Sequence, residues 1–256
     1  MTTRRILSGM ILAALVMAAG AGFAAPSVAM QDDANSVAAA ATQKLEKKQF
    51  QAVKVTLENG IATLSGTVDL YIDKADAEKR VAKVKGVAGV RNMIAVGGPV
   101  VADSELQKKL GEKLAYDRVG YGNTFNAITL GVNNGAVTLG GHARTYVDRD
   151  SAVALVSTYP GVKDVTDEIE VDPVSIMDDE LRLRVAHAVY GYDQLSKYSI
   201  DPAKPIRISV QNGNVELYGT VDRKADKDVA YMRAMGVSGV FSVKNFLQVE
   251  GAAGEK

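Results

Sequence analysis

The chain has 256 residues, with 30 basic and 30 acidic side chains, two histidines, and neither cysteine nor tryptophan. Balanced charge excludes the strongly basic footprint of a nucleic-acid binder. The lack of cysteine excludes disulfides, thiolate metal sites, cysteine nucleophiles and a lipidated N-terminal cysteine.

Taken in order, the chain opens with Arg4 and Arg5, an apolar run from Ile6 to Ala19, and small residues ending in Ser27-Val28-Ala29. That pattern predicts a cleavable signal peptide over residues 1–29, with Gly22-Phe23-Ala24 as the other candidate cleavage site. The apolar run is shorter than the roughly 20 residues a spanning helix needs. Thr3-Arg4-Arg5-Ile6-Leu7 leaves both the general and the twin-arginine export routes open. The mature chain is expected in the periplasm; without Arg4 and Arg5 it carries 28 basic against 30 acidic residues.

The rest reads as three copies of one unit, over residues 30–98, 99–172 and 173–250, followed by a frayed tail at 251–256. Each copy centres on an Asn-Gly dipeptide between alternating apolar runs: Asn59-Gly60, Asn134-Gly135 and Asn212-Gly213. This pattern predicts a two-residue hairpin turn, because only residues tolerant of positive φ fit both central positions. The implied register faces Leu57 with Ala62, Val55 with Leu64 and Val53 with Gly66. The second copy pairs Val132/Val137, Leu130/Leu139 and Ile128/Gly141, and the third Val210/Val215, Ile208/Leu217 and Ile206/Gly219. These pairs form an apolar face opposite a polar one, as in a sheet covered on one side. Gly66, Gly141 and Gly219 on that face mark either close approach of a helix or a bulge.

In the first copy, Ser36–Lys48 is predicted helical, with Val37, Ala41 and Leu45 at four-residue spacing. A second helix within Asp69–Lys85 carries the stripe Ala77, Val81 and Val84 and is stopped by Gly86; Val87–Val96 is the third strand. In the second copy, Ser104 and Gln107 have capping-box spacing, and Leu106, Leu110 and Leu114 form the inward stripe. Tyr116–Asn126 is a long connection, Asp148–Thr158 the second helix ending at Pro160-Gly161, and Val162–Val171 the third strand. Asp172-Pro173 marks a boundary. In the third copy, Asp178 or Asp179 caps a helix bearing Leu181, Val185 and Ala188. Gly191–Lys204 is an insertion, Lys224–Met235 a helix ending at Gly236, and Val237–Val249 the last strand. Each unit is thus αββαβ: an α+β two-layer fold with a three-stranded mixed sheet packed against two helices. Its crossover is right-handed and its third strand runs parallel to the second.

The hairpin form V-x-N-G-x-V-x-L-x-G with a closing G-V-x-x-V resembles the BON domain (bacterial OsmY and nodulation). The closing motif reads Gly86-Val87-Ala88-Gly89-Val90, Gly161-Val162-Lys163-Asp164-Val165 and Gly236-Val237-Ser238-Gly239-Val240. Tyr192-Asp193-x-Leu195-x-x-Tyr198 is also similar to family members. The resemblance covers essentially the whole mature chain and implies a non-enzymatic envelope protein associated with osmotic stress, membrane integrity and binding of anionic phospholipid. The motif residues themselves are structural.

No catalytic, cofactor or metal site is expected. His142 and His187 lie in non-equivalent places without a second ligand at metal spacing. Asp222, Asp226 and Asp228 sit near a helix start, where carboxylates complement the dipole; calcium would want a denser oxygen set. The informative excess is tyrosine: Tyr116, Tyr121, Tyr190, Tyr192 and Tyr198, with Phe125, follow the first helices of repeats two and three. Such side chains suit lipid-headgroup or protein interfaces, or else cap the open end of each small core. Lys197, Lys204 and Arg207 lie near the third-repeat cluster. Lys79, Arg80, Lys83 and Lys85 read as the soluble face of a helix. The leading expectation is contact with a membrane surface rich in anionic phospholipid through Tyr116, Tyr121, Phe125, Tyr190, Tyr192, Lys197, Tyr198 and Lys204. The alternative is a chaperone or scaffold that binds envelope proteins, by strand addition at sheet edges.

Overall fold

The computed structural model describes residues 28–116 and 123–251; the leader before Val28, Tyr121 and the tail after Gly251 lie outside them. Repeat one runs α1 (Val28–Gln43), β1 (Val53–Glu58), β2 (Ile61–Val68), α2 (Tyr71–Val81) and β3 (Gly89–Val96). Repeat two runs α3 (Asp103–Tyr116), β4 (Ala127–Asn133), β5 (Ala136–Ala143), α4 (Tyr146–Ser157), β6 (Asp164–Asp167) and β7 (Glu170–Val171). Repeat three begins with α5 (Ile176–Tyr190), a short α6 (Asp193–Ser196), β8 (Arg207–Gln211), β9 (Asn214–Tyr218) and β10 (Thr220–Val221). It closes with α7 (Lys224–Met235), β11 (Ser242–Asn245) and β12 (Gln248–Val249). Each repeat is a small mixed sheet with the second hairpin strand central, antiparallel to the first and parallel to the third.

The hairpins have the register the apolar alternation requires: Val55 faces Leu64, Leu130 faces Leu139, and Ile208 faces Leu217. Asn59, Asn134 and Asn212 adopt φ of 50°, 51° and 50°, each followed by a positive-φ glycine. That is the turn whose twist matches the flanking strands. Gly66 and Gly141 do not admit a helix. A Cβ there would lie 1.9 Å from the Ala52 carbonyl oxygen and 2.1 Å from that of Ala127, so the glycine is required by the backbone of its own hairpin. Both also have positive φ, which resolves the two sequence readings toward a local backbone distortion.

Three local expectations are corrected. Gly86 does not end α2, whose C-cap is Ala82; it forms a separate turn before β3, with φ of 97°. Its counterparts by conformation are Gly161 and Gly239, at 96° and 95°, whereas Gly236 is the C-cap of α7 with negative φ. The third repeat contains two overlapping G-V-x-x-V frames, and Gly239-Val240-Phe241-Ser242-Val243 is the equivalent one. The amide after the turn identifies it: Ala88, Lys163 and Phe241 donate to the carbonyls of Gly60, Gly135 and Gly213 at 2.7–2.9 Å.

The second and third corrections concern caps. Ser175, not an aspartate, caps α5, accepting from the Asp178 amide at 3.2 Å. Asp178 instead accepts from the Asn212 and Gly213 amides, both at 2.9 Å, and clamps the hairpin turn. Asp103 does the same in repeat two, accepting from Asn134 and Gly135 at 2.6 and 2.9 Å. Positive-φ turns leave these amides pointing outward, and a carboxylate at a helix start satisfies both while complementing the dipole. Gln107 does not close a capping box; its amide reaches the Leu130 carbonyl on β4.

The apolar faces build one core per repeat. Burying each Leu, Ile or Val contributes about 1.5–3 kcal/mol relative to exposure, so small cores gain from sharing surface. Tyr71 of repeat one packs on the core of repeat two and donates to the Val165 carbonyl at 3.3 Å. Phe125, from the repeat-two loop, is buried in the core of repeat three, and the Ile208 amide donates to Thr124 at 2.7 Å. Asp172, read from sequence as a boundary, is buried at this junction. It accepts from Arg182 at 2.9 Å and from Gln211 at 2.8 Å, and Arg182 also donates to the Val210 carbonyl.

Candidate membrane or partner surface

The aromatic and basic residues singled out from sequence do not form one continuous patch. Phe125 is buried beneath the Arg144 guanidinium, which sits 5.9 Å from its ring centroid. Tyr190 donates to the Ile206 carbonyl at 2.5 Å, and burial pushes its hydroxyl up to about 12. Tyr198 is buried, donating to Asp226 and accepting from the Asp222 amide, each at 2.7 Å. Phe125 and Tyr190 line a groove of about 630 Å³ with Leu183, Ala186 and His187, and all three rings anchor the insertion against the core of repeat three. The reason is the length of the insertion: folded back over the sheet end, it needs its own apolar anchors.

Tyr116 and Tyr192 are exposed. Tyr116 donates to Asp201 at 3.1 Å, linking repeats two and three, and Arg233 lies 5.3 Å over the Tyr192 ring. The two candidate lysines are paired within the chain. Lys197 lies 2.5 Å from Asp222 and 3.0 Å from Asp226, and these contacts raise its pKa; Lys204 lies 3.0 Å from Glu250. Asp226 has no solvent exposure. Burial alone would raise its carboxyl, but hydrogen bonds from Gln194, Tyr198, Lys197 and Arg223 prevail and hold it well below the usual carboxylate range. This network fastens the insertion to the start of α7, and its cations are already neutralised.

Repeat one presents the opposite situation. Where the end of α1 meets α2, Lys44, Lys79, Arg80 and Lys83 line a groove of about 350 Å³ with one carboxylate, Asp76. Asp76 is bonded to Arg80 at 2.7 Å, and the Arg80 guanidinium rests 5.8 Å from the ring of buried Phe50. Among the described residues, Lys44, Lys79 and Lys83 have no carboxylate within ion-pair distance. Lys79 sits in the last turn of α2 and Lys83 in the turn just past its C-cap, so both reach the same groove. Lys44 joins them only because α1 packs alongside, a juxtaposition the sequence does not reveal. Ammonium groups gathered around one concavity attract oxyanions such as phosphate.

A third feature lies between repeats two and three. His142 sits 3.7 Å from Asp172, 4.0 Å from Glu170 and 3.9 Å from Glu216, beside a polar cleft of about 300 Å³. Tyr218 donates to Glu216 and stacks on Phe246, with centroids 5.1 Å apart. Among the described residues no group of histidines and carboxylates is arranged to hold a metal ion, and no helix is long and apolar enough to cross a membrane.

A family profile described as BON domain matches residues 32–98, 102–173 and 192–251. Among curated proteins, the chain is 28% identical over 134 residues to the osmotically-inducible protein Y of Escherichia coli (strain K12). The match covers 48% of this chain and 62% of that protein. Among solved structures, CdsD, a structural protein of the type III secretion system of Chlamydia trachomatis, superposes with a TM-score of 0.24 at 18% identity, over 85% of this chain and 92% of that one. The C-terminal domain of CdsD gives 0.25 at 17%, over 88% and 99%. Superpositions at that level carry no inference about arrangement or role.

Proposed function

The chain belongs to the BON domain family, three times over, and from that premise we propose that it is an exported, non-catalytic envelope-maintenance protein that binds anionic phospholipid at membrane surfaces. Periplasmic residence is part of this reading, supported by the charged, apolar and small-residue order of positions 1–29. A role under osmotic stress is supported by the similarity to the osmotically-inducible protein Y.

The observation that carries the lipid reading is the repeat-one groove, with four cations against one carboxylate. Each basic residue near an anionic bilayer contributes about 1 kcal/mol. Lys44, Lys79 and Lys83, without ion-pair partners among the described residues, therefore supply about 3 kcal/mol, roughly a hundredfold in partitioning, and most of it is screened by salt. The strongly perturbed groups of repeat three serve internal bonds, which favours a structural role for them over a catalytic one.

Co-sedimentation of the chain from Met30 onward with anionic and zwitterionic vesicles, at low and high salt, tests the reading. Binding that requires anionic lipid and weakens with salt is the expected result. Equal binding to both vesicles, or to neither, rejects it.

A further inference from the structure

In repeat two the closing-turn glycine is roofed by an aliphatic side chain. A Cβ on Gly161 would lie 2.8 Å from Val101 Cγ2 and 3.6 Å from the Pro99 carbonyl oxygen. Repeat one covers Gly86 in the same way with Val37, at 2.8 Å. Repeat three does not. Over Gly239 the nearest atoms are Arg184 Nη2 at 3.5 Å and Leu181 Cδ1 at 3.8 Å. The residue standing where Val101 stands is Ile176, because each lies two positions before the aspartate that clamps the Asn-Gly turn. Val101 packs on its core, whereas Ile176 is 78% exposed. What remains is a groove of about 450 Å³ between the start of α5 and the loops at Gly213 and Gly239, walled by Met177 and Phe241, 80% and 77% exposed.

We propose that this groove takes an extended apolar segment of a partner protein, laid across Gly239 as Pro99–Val101 lies across Gly161. The chain itself supplies the template for the occupant in repeat two: an aliphatic, β-branched side chain seated on a bare glycine, carried by the non-helical segment Pro99–Val101. Arg184 is exposed at the rim and has no carboxylate within ion-pair distance among the described residues, so it suits an acidic side chain or C-terminal carboxylate of the segment. Glu180, which lines the groove just past the first turn of α5, disfavours an anionic bilayer at this end of the molecule. A second copy is poorly placed to fill the groove, since its own matching segment is already seated in its repeat two. The site lies on another repeat from the lysine groove and goes beyond the lipid reading.

The test uses the full chain, purified after export, and a labelled peptide with the sequence of residues 97–103. Fluorescence anisotropy and amide chemical shifts are read together. The expected result is saturable millimolar or tighter binding, with shifts confined to residues 176–184 and 239–241. Phe241→Ala and Arg184→Glu, both on exposed side chains, are each expected to weaken it about fivefold or more, and a peptide with both valines replaced by serine does not bind. Vesicle binding by Phe241→Ala is unchanged. Absence of saturable binding, shifts elsewhere, or indifference to both variants overturns the proposal. So does a peptide-inert groove whose Phe241→Ala variant loses self-association or vesicle binding, which would assign it to a second copy or to lipid.

Discussion

Replacing Asp172 by alanine should unlock the junction between repeats two and three. The carboxylate side chain is 1% exposed and that of its partner Arg182 is 3% exposed, with the two 2.9 Å apart. Without Asp172, the guanidinium keeps the Val210 carbonyl and the half-exposed Asp179, while its Nε already lacks a partner among the described residues. Breaking a buried pair on one side costs about 3–5 kcal/mol, because the orphaned charge stays desolvated. Retention of Asp179 places the expected loss near the lower end, about 3 kcal/mol. Urea unfolding, followed by fluorescence of the tyrosines, reads this as a midpoint shift of about 1 M at m of roughly 2–3 kcal/mol/M. Asp172→Ala with Arg182→Met should recover most of the loss, since removing both charges removes the penalty. A single variant costing under about 1 kcal/mol, or a double variant no better than the single, would refute the claim that this pair locks the repeats.

Further outcomes follow from the same contacts. Gly141→Ala places a Cβ 2.1 Å from the Ala127 carbonyl oxygen at positive φ, so it should cost more than about 2 kcal/mol; thermal unfolding checks it. Asp103→Ala removes the acceptor of two turn amides and should destabilise by about 1–3 kcal/mol, with faster hydrogen exchange at Asn134 and Gly135. Asp226 has a depressed folded-state pKa, so its contribution is full above its unfolded value of about 3.9 and is lost as the pH falls below that toward the folded value. Acid titration of stability should therefore be shallower in Asp226→Asn than in the parent below about pH 4.

The hairpins were the most legible part of the sequence because their signal is local: an Asn-Gly turn with period-two alternation fixes register without tertiary information. The αββαβ order was readable for the same reason, and α7 runs over Lys224–Met235, the residues its pattern predicts. Overlapping G-V-x-x-V frames in repeat three hid the true closing turn, since both frames satisfy the motif and only φ at Gly239 separates them. The aspartate clamps were illegible because they join residues more than 30 positions apart, and Asp178 looks like an ordinary helix cap. At the candidate site, exposure was the missing quantity. Tyr192 and Tyr198 are the same residue type six positions apart, yet one is exposed and the other anchors a buried carboxylate. Lysine counting failed in the same way: Lys197 has two carboxylate partners, while Lys79 and Lys83 gain their meaning from Lys44 across a helix interface.

The central claim is that anionic membrane contact runs through the lysine groove of repeat one, and charge reversal tests it most directly. Lys79→Glu with Lys83→Glu, both exposed and free of ion pairs among the described residues, turns a net attraction into repulsion without touching a core contact. Binding to anionic vesicles at low salt should fall by roughly a hundredfold, while Tyr192→Ala binds as the parent does. Undiminished binding by the double reversal, or a loss on Tyr192→Ala instead, would contradict the account and return the membrane contact to repeat three.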